Sequence, residues 1–391
     1  MRETYDGYEP FDYLDDDEYT QFDFPAPDAI GEPHELELTA EQEQRAEAVR
    51  EAYPVISLHE HPFYFPDDVS ETLQYVSQGR TETAYGALAE SPLTAIFDNM
   101  LDGLAAVTSK SGWKFRDIVY DLGMRLCDLE HQDFVVPARS VDDIHAAHET
   151  GRIAMIPTIE SSMPIENELD RIDILFGLGI RMMGLTYSES NALGSGLKEK
   201  RDAGLTVFGE QAVERMNKVG MAIDASHASN QSTLDACEIS ESPIFLSHNG
   251  AYELLDDDRL DPDHVLEAVA DTGGVIGIQA APHNTATLEN NPRHTIDAVI
   301  EHFEYVRDLV GIDHVTFGPD TLYGDHVGLH DLFFAELRNE LERVEYVEGM
   351  ENPTEAWNNI VRYLVREEYT DEEIEKILGG NVLRALEDVW P

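Results

Sequence analysis

Eight short apolar runs, separated by stretches of helical periodicity, limit what this chain can fold into more than any other feature. They are VISL at 55–58, DFVVPA at 133–138, IAMIPTI at 153–159, IRMMGLT at 180–186, MAIDA at 221–225, PIFLS at 243–247, GVIGIQA at 274–280 and HVTFG at 314–318. Runs this short and this continuously apolar suit parallel strands buried on both faces. Helical patterns such as 207–219 and 262–271 lie between most of them. Repeated βα units predict a parallel sheet, and eight of them predict a closed α/β barrel of the TIM type, (β/α)8. The 391 residues fit one such domain. The second run is the weakest, because 68–131 reads as a long helical insertion after strand 1.

The ends of the barrel segment are punctuated. Thr39 and Gln42 form a capping-box pair that opens a helix, which Pro54 closes. Thr370 and Glu373 form another, with a helix stop at Gly379-Gly380. The expected division is therefore a barrel over 39–391 and an N-terminal arm over 1–38. The arm is acidic but carries seven aromatics (Tyr5, Tyr8, Phe11, Tyr13, Tyr19, Phe22 and Phe24). A disordered tail has few aromatics, so the arm is expected to be irregular and to lie partly against the body.

Charge excludes several partners. Asp and Glu number 79 against 26 Lys and Arg, a formal net charge of −53. Such a chain repels nucleic acid and anionic lipid. Its self-repulsion is relieved only where salt screens it, which points to a salt-rich cytoplasm and a halophilic source. Two cysteines, Cys127 and Cys237, imply no disulfide framework. The N-terminus lacks an apolar signal core and no run is long enough to span a bilayer, so a soluble cytoplasmic protein is expected.

The chemistry sits where the strands end. Run 1 leads into His59-Glu60-His61, run 3 into Glu160, run 4 into Tyr187, run 5 into His227, run 6 into His248 and run 8 into Asp320. In a barrel these ends converge on one mouth. His59 and His61, at i and i+2 on a strand, share a face. With His227 and His248 they make a ligand set suited to a divalent metal. Glu160 is a carboxylate after an apolar run, and bridging two cations would offset its burial cost. Asp320 is placed to ligate, to orient water or to shuttle a proton. His326 and His330 follow the last strand and are candidates to line the site. There is no GxSxG elbow, no Walker loop and no GxGxxG between a strand and a helix.

The chain resembles the renal (membrane) dipeptidase family, a branch of the amidohydrolase-like metal barrels. The likeness runs from about residue 45 to the end and is strongest over 176–279. That stretch includes GLTVFGEQAVERMNKVGMAIDASHAS, PIFLSHNGAYELL and TGGVIGIQ; YTDEEIEKILGGNVLRAL near the end also matches. The resemblance implies two Zn2+ ions, with Co2+, Mn2+ or Fe2+ also accommodated by such ligands. It makes His59 a ligand of the first metal, Glu160 the bridge, and His227 and His248 ligands of the second. It makes Asp320 the catalytic aspartate and Arg259 the residue that binds the substrate's terminal carboxylate. The implied reaction is hydrolysis of the amide bond of dipeptides or similar substrates by a hydroxide bridging the two ions. Dimers are frequent in the family, so a homodimer is allowed.

Two positions depart from the family. His61 stands where an aspartate is usual, and histidine still ligates zinc. Tyr187 stands where many members carry a substrate-contacting histidine; its hydroxyl can donate to a developing oxyanion. The sequence after Asp320 reads TLYGDH rather than an FDG-like continuation. These changes bear on substrate. They leave open a lactonase, cyclic amidase, N-acyl amino acid hydrolase or deaminase on the same site, and, more remotely, a non-catalytic metal-binding protein.

Overall fold

The computed structural model describes residues 2, 4–26, 33–100, 114–333 and 346–391. Its strands, in chain order, are β1 (Ile56–Tyr64), β2 (Ala95–Met100), β3 (Val135–Pro137), β4 (Ile153–Ile159), β5 (Met182–Gly184), β6 (Ala222–Asp224), β7 (Ile244–Asn249), β8 (Val275–Ile278), β9 (Val315–Phe317) and β10 (Leu322–Tyr323). They pair in parallel in the order β10-β1-β2-β4-β5-β6-β7-β8-β9, with β3 beside β4. The segment after β9 closes the ring. Asp320 N donates to His59 O (3.2 Å), His61 N donates to Thr321 O (3.0 Å), and β10 pairs with β1. One continuous stretch thus pairs with β8 at its start and with β1 at its end, giving the TIM-like barrel.

Two sequence expectations are corrected. The second barrel strand is Ala95–Met100, inside the stretch expected to be helical, and Val135–Pro137 pairs only with β4. Helices Thr72–Ser77, Tyr85–Leu88 and Phe115–Leu129 occupy other parts of 68–131; residues 101–113 of that expectation lie outside the described residues. The polar pair Asp98-Asn99 hides the strand, and each has a partner supplied by distant chain. Asp98 faces outward and takes both its bonds from Arg125 Nη1 (2.8 Å each), while Asn99 faces inward. The second correction is at Gly379-Gly380. The helix does not stop there but passes through one wide turn, Lys376–Gly380, into the helix Asn381–Glu387. Gly379 serves close packing instead: a Cβ on it would lie 2.7 Å from Pro54 O.

Inside the barrel the lower layer is apolar. Ile56, Leu58, Ala95, Phe97, Ala154, Ile156, Met182, Ala222, Phe245 and Val275 form it, with Val382, Leu386, Val389 and Trp390 of the C-terminal segment packed against them. Trp390 stacks on Phe97, ring centroids 6.2 Å apart. The outward residues Ile96, Met155, Met183, Ile223, Leu246 and Ile276 pack with the surrounding helices. This floor leaves the C-terminal ends of the strands as the face where polar side chains can converge.

The described part of the arm lies on the body. Phe11 is buried, and Asp128 accepts bonds from Tyr8 OH, Phe11 N and Tyr85 OH (2.8, 2.8 and 2.6 Å). Among the described residues, no helix is long and apolar enough to cross a membrane.

Candidate metal centre

Two bulges aim the histidines. Along β1, Ser57 pairs with Ile96 and Glu60 with Asp98, so three steps on β1 match two on β2. Along β7, Leu246 pairs with Ile276 and Asn249 with Ile278, the same mismatch. Strict alternation would send His59 and His248 to the helical side; the extra residue turns both inward. His61 then follows two positions after His59 on the same face, as its spacing predicts. Glu160 directly follows β4. His227, Tyr187 and Asp320 each come three residues after β6, β5 and β9. Gly184 on β5 has a packing reason, since a Cβ there would lie 1.9 Å from Glu160 O. Only glycine lets β5 approach the turn that carries this carboxylate.

The sequence-expected ligands come together. Glu160 Oε1 lies 2.9 Å from His227 Nε2, 3.3 Å from His248 Nε2 and 3.9 Å from His59 Nε2. Asp320 Oδ1 lies 3.3 Å from His59 Nε2 and 3.2 Å from His61 Nε2. All four histidines and Glu160 are buried, and Asp320 is nearly so. Two overlapping sets, His59–His248–Asp320 and Glu160–His227–His248, bring three ligand atoms each within ion-sharing distance.

Hydrogen bonds outside the cluster fix the tautomers. Ser247 Oγ donates to Asp224 Oδ2 (2.5 Å), so it accepts from His248 Nδ1 (2.8 Å). This leaves a lone pair on His248 Nε2, facing the Glu160 oxygen. His61 Nδ1 is 3.2 Å from the carbonyl of Asn99, which can only accept, and its Nε2 is turned to Asp320. Asn99 Nδ2 donates to Glu160 Oε2 (3.0 Å). Burial opposes the charge on Asp224, but His248 and the Ser226 and Ser247 bonds hold its pKa below the ordinary value.

A proton or a cation could sit between these acceptors, and the electrostatics separate the two at His248. Burial first, then His59 and Arg259, push His248 down to about 3. It is therefore uncharged near neutrality, its single ring proton on Nδ1 and its Nε2 bare. A bare nitrogen facing a buried carboxylate is repulsive, whereas a divalent cation between them is strongly favourable. Burial opposes ionisation of Glu160 and Asp320 too, yet their histidine neighbours hold both well below the usual carboxylate range. His59 Nε2 is buried without a hydrogen-bond partner. The residues fit a metal.

The remaining candidates line one pocket with a free volume of about 70 Å3. Tyr187 stacks on His227 with centroids 4.3 Å apart. Arg259 is buried, donating to Ser226 O (2.9 Å) and His248 O (2.8 Å). It thus also clamps the backbone beside two ligands, a part that its sequence context of three aspartates did not suggest. His326 and His330 reach the pocket from the helix His326–Phe333, and Phe65, Leu322 and Leu329 give it an apolar side. Asn99, Asp224 and Ser247 were missed. Ser247 and Asp224 lie beside or near ligands in LSHNG and DASHAS, where short polar residues at apolar strand ends were the available signal. Asn99 had none once its strand was misread. A larger cavity of about 740 Å3, near His34, Arg50 and Glu351, lies among other residues altogether.

The pattern of the membrane dipeptidases, peptidase family M19, matches residues 43–390. The chain belongs to the membrane dipeptidase family. Dipeptidase tcpJ of Claviceps purpurea is 28% identical over 271 residues, which cover 69% of this chain but 58% of that protein's own length. Among solved structures, an amidohydrolase from Pseudomonas aeruginosa superposes with a TM-score of 0.72 at 23% identity, covering 88% of this chain and 99% of the other. A metallopeptidase from Rhodobacter sphaeroides, solved with a phosphinate mimic of the dipeptide L-Ala-D-Ala, gives 0.65 at 18%, covering 86% and 99%. These likenesses agree with the barrel. His61 and Tyr187, the two positions where a departure from the family is expected, both line the pocket.

Proposed function

We propose that the chain is a binuclear zinc dipeptidase. The observation that carries this reading is the His248 lone pair turned to the Glu160 carboxylate inside a ring of four histidines and two carboxylates. Membership of a dipeptidase family supports the substrate class, as does the dipeptide mimic held by the Rhodobacter sphaeroides metallopeptidase. Divalent ions held there would supply Lewis acidity, lowering the pKa of a water to about 7 and polarising the scissile carbonyl. His248 is common to both ligand groups, and Glu160 Oε1 also faces His59, which favours a shared carboxylate. Asp320, beside His59 and His61, is placed to take a proton from the attacking water and pass it to the leaving amine. Tyr187 donates to the developing oxyanion. The Arg259 guanidinium has five N–H groups, of which two bond to backbone; the remainder suit the substrate's free carboxylate. Two free cysteines suit a reducing compartment, which supports a cytoplasmic location.

The test is metal content and turnover together, in molar salt. Chelator-treated protein should lose hydrolysis of a dipeptide panel and regain it with about two equivalents of Zn2+. Full turnover by metal-free protein would end the reading. Arg259→Lys keeps the charge but loses the planar fork. Its KM for dipeptides should rise about 10- to 100-fold, a loss of roughly 1.4–2.8 kcal/mol, well beyond the effect on amides lacking the carboxylate, which reads only the loosened clamp on Ser226 and His248. Equal effects on both substrates would remove the carboxylate-binding role.

A further inference from the structure

Glu60 sits between two ligand histidines but points the other way, out of the barrel, and is fully buried. Its Oε2 accepts from Thr321 N and Thr321 Oγ, both at 2.8 Å. Its Oε1 accepts from Trp357 Nε1 (3.1 Å), on the helix Pro353–Arg366, and from Ser57 Oγ (3.2 Å). Thr321 follows Asp320, whose φ of +58° is a left-handed conformation rare outside glycine. A strained residue persists only where its surroundings hold it, and the strain marks a place where a side chain is being aimed. Backbone bonds already tie both neighbours of Glu60 to this turn, through Asp320 N to His59 O and His61 N to Thr321 O. Glu60 supplies the side-chain tether on the opposite face of β1.

We propose that Glu60 is a positioning residue: its carboxylate, gripping Thr321, holds Asp320 against His59 and His61, while its bonds to Trp357 and Ser57 only satisfy the second oxygen. As a statement about Asp320 in hydrolysis, this rests on the dipeptidase reading; as a statement about the ligand cluster, it does not. The two oxygens of Glu60 serve two obligate donors, the Thr321 and Trp357 N–H groups. A glutamine has a single acceptor oxygen and can serve one of them. Removing the indole N–H frees that oxygen for Thr321, and Ser57 Oγ can then accept from the amide.

The experiment compares three variants in molar salt, with folding checked by circular dichroism. Trp357→Phe should keep kcat within about twofold even if its melting temperature falls. Glu60→Gln combined with Trp357→Phe should stay within about threefold of that background. Glu60→Met combined with Trp357→Phe, similar in volume but without an acceptor, should lose about 100-fold in kcat with KM nearly unchanged. Cobalt(II) titrated into chelator-treated protein should bind about tenfold more weakly to the methionine variant than to the glutamine one. Equal kcat and equal cobalt affinity in the two double variants would overturn the proposal. So would a loss in Trp357→Phe as large as in the methionine variant, since the network would then be plain packing. If the methionine variant does not fold, Thr321→Val, which removes one of two tethers, must lower kcat several-fold; no change overturns the proposal. If the wild-type protein hydrolyses no dipeptide, the dipeptidase reading fails, and the cobalt comparison still decides the role of Glu60.

Discussion

Glu160→Gln is expected to leave the barrel folded, strip at least half of its bound metal and lower kcat on dipeptides by about a thousandfold or more. The size follows from how many partners one carboxylate serves. Its Oε1 faces three histidine nitrogens, and its Oε2 accepts from Asn99. A glutamine keeps the shape but must turn its amide one way. Turned toward Asn99, it sets two donors against each other. Turned toward the histidines, it puts a neutral donor where a shared anion is needed. Breaking a buried, charge-paired group costs about 3–5 kcal/mol, and each 1.36 kcal/mol is about tenfold in rate. Removal of a buried charge also has an opposite consequence. In chelator, the variant should melt no more than a few degrees below the wild-type protein, because a neutral amide costs less to bury. Metal content by atomic emission, kcat, and melting in chelator read the three parts separately. A variant that keeps both ions and most of its rate would show that Glu160 is a bystander.

The barrel and most of its site are legible in the sequence for a physical reason. A parallel strand buried on both faces must be apolar nearly throughout, so IAMIPTI and PIFLS stand out. A polar residue at the end of such a run needs a partner, so Glu160, His227 and His248 stand out as well. The same logic explains the failures. Strand Ala95–Met100 carries Asp98 and Asn99, and their partners, Arg125 and Glu160, are 27 and 61 residues away. Nothing local signals that those polar groups are satisfied. Glu60 is similar: its place between two histidines puts it on the other face of the strand, but only the fold shows that its partner there is Trp357. The bulges in β1 and β7 were also out of reach, because an inserted residue is defined by its partner strand. His59 nevertheless points inward as expected. The i, i+2 spacing fixes its side relative to His61, whatever the register shift between Ser57 and Glu60 does to the residues before them.

The second large effect concerns salt rather than a residue. The protein is expected to be folded in 3 M KCl and to unfold when dialysed below about 0.1 M, with the transition following ionic strength. The net charge of −53 is spread over 15477 Å2 of accessible surface, which sets roughly 17 Å between net charges. The Debye length is about 3 Å at 1 M but about 30 Å at 0.01 M, so neighbours are invisible to each other in the first case and fully felt in the second. Charging a sphere of this size with −53 costs on the order of 50 kcal/mol at 0.1 M and on the order of 20 at 1 M. An expanded chain escapes much of that difference, and a folded domain has only about 5–15 kcal/mol to lose. Repulsion therefore wins at low salt, despite a core as continuous as the one around the strands. Sucrose separates screening from preferential exclusion. It strengthens burial without screening charge, so at matched osmolality it should rescue the fold far less than KCl. A melting temperature that is flat between 0.05 and 3 M KCl, or one restored equally by sucrose, would mean that the surface carboxylates are not what governs stability here.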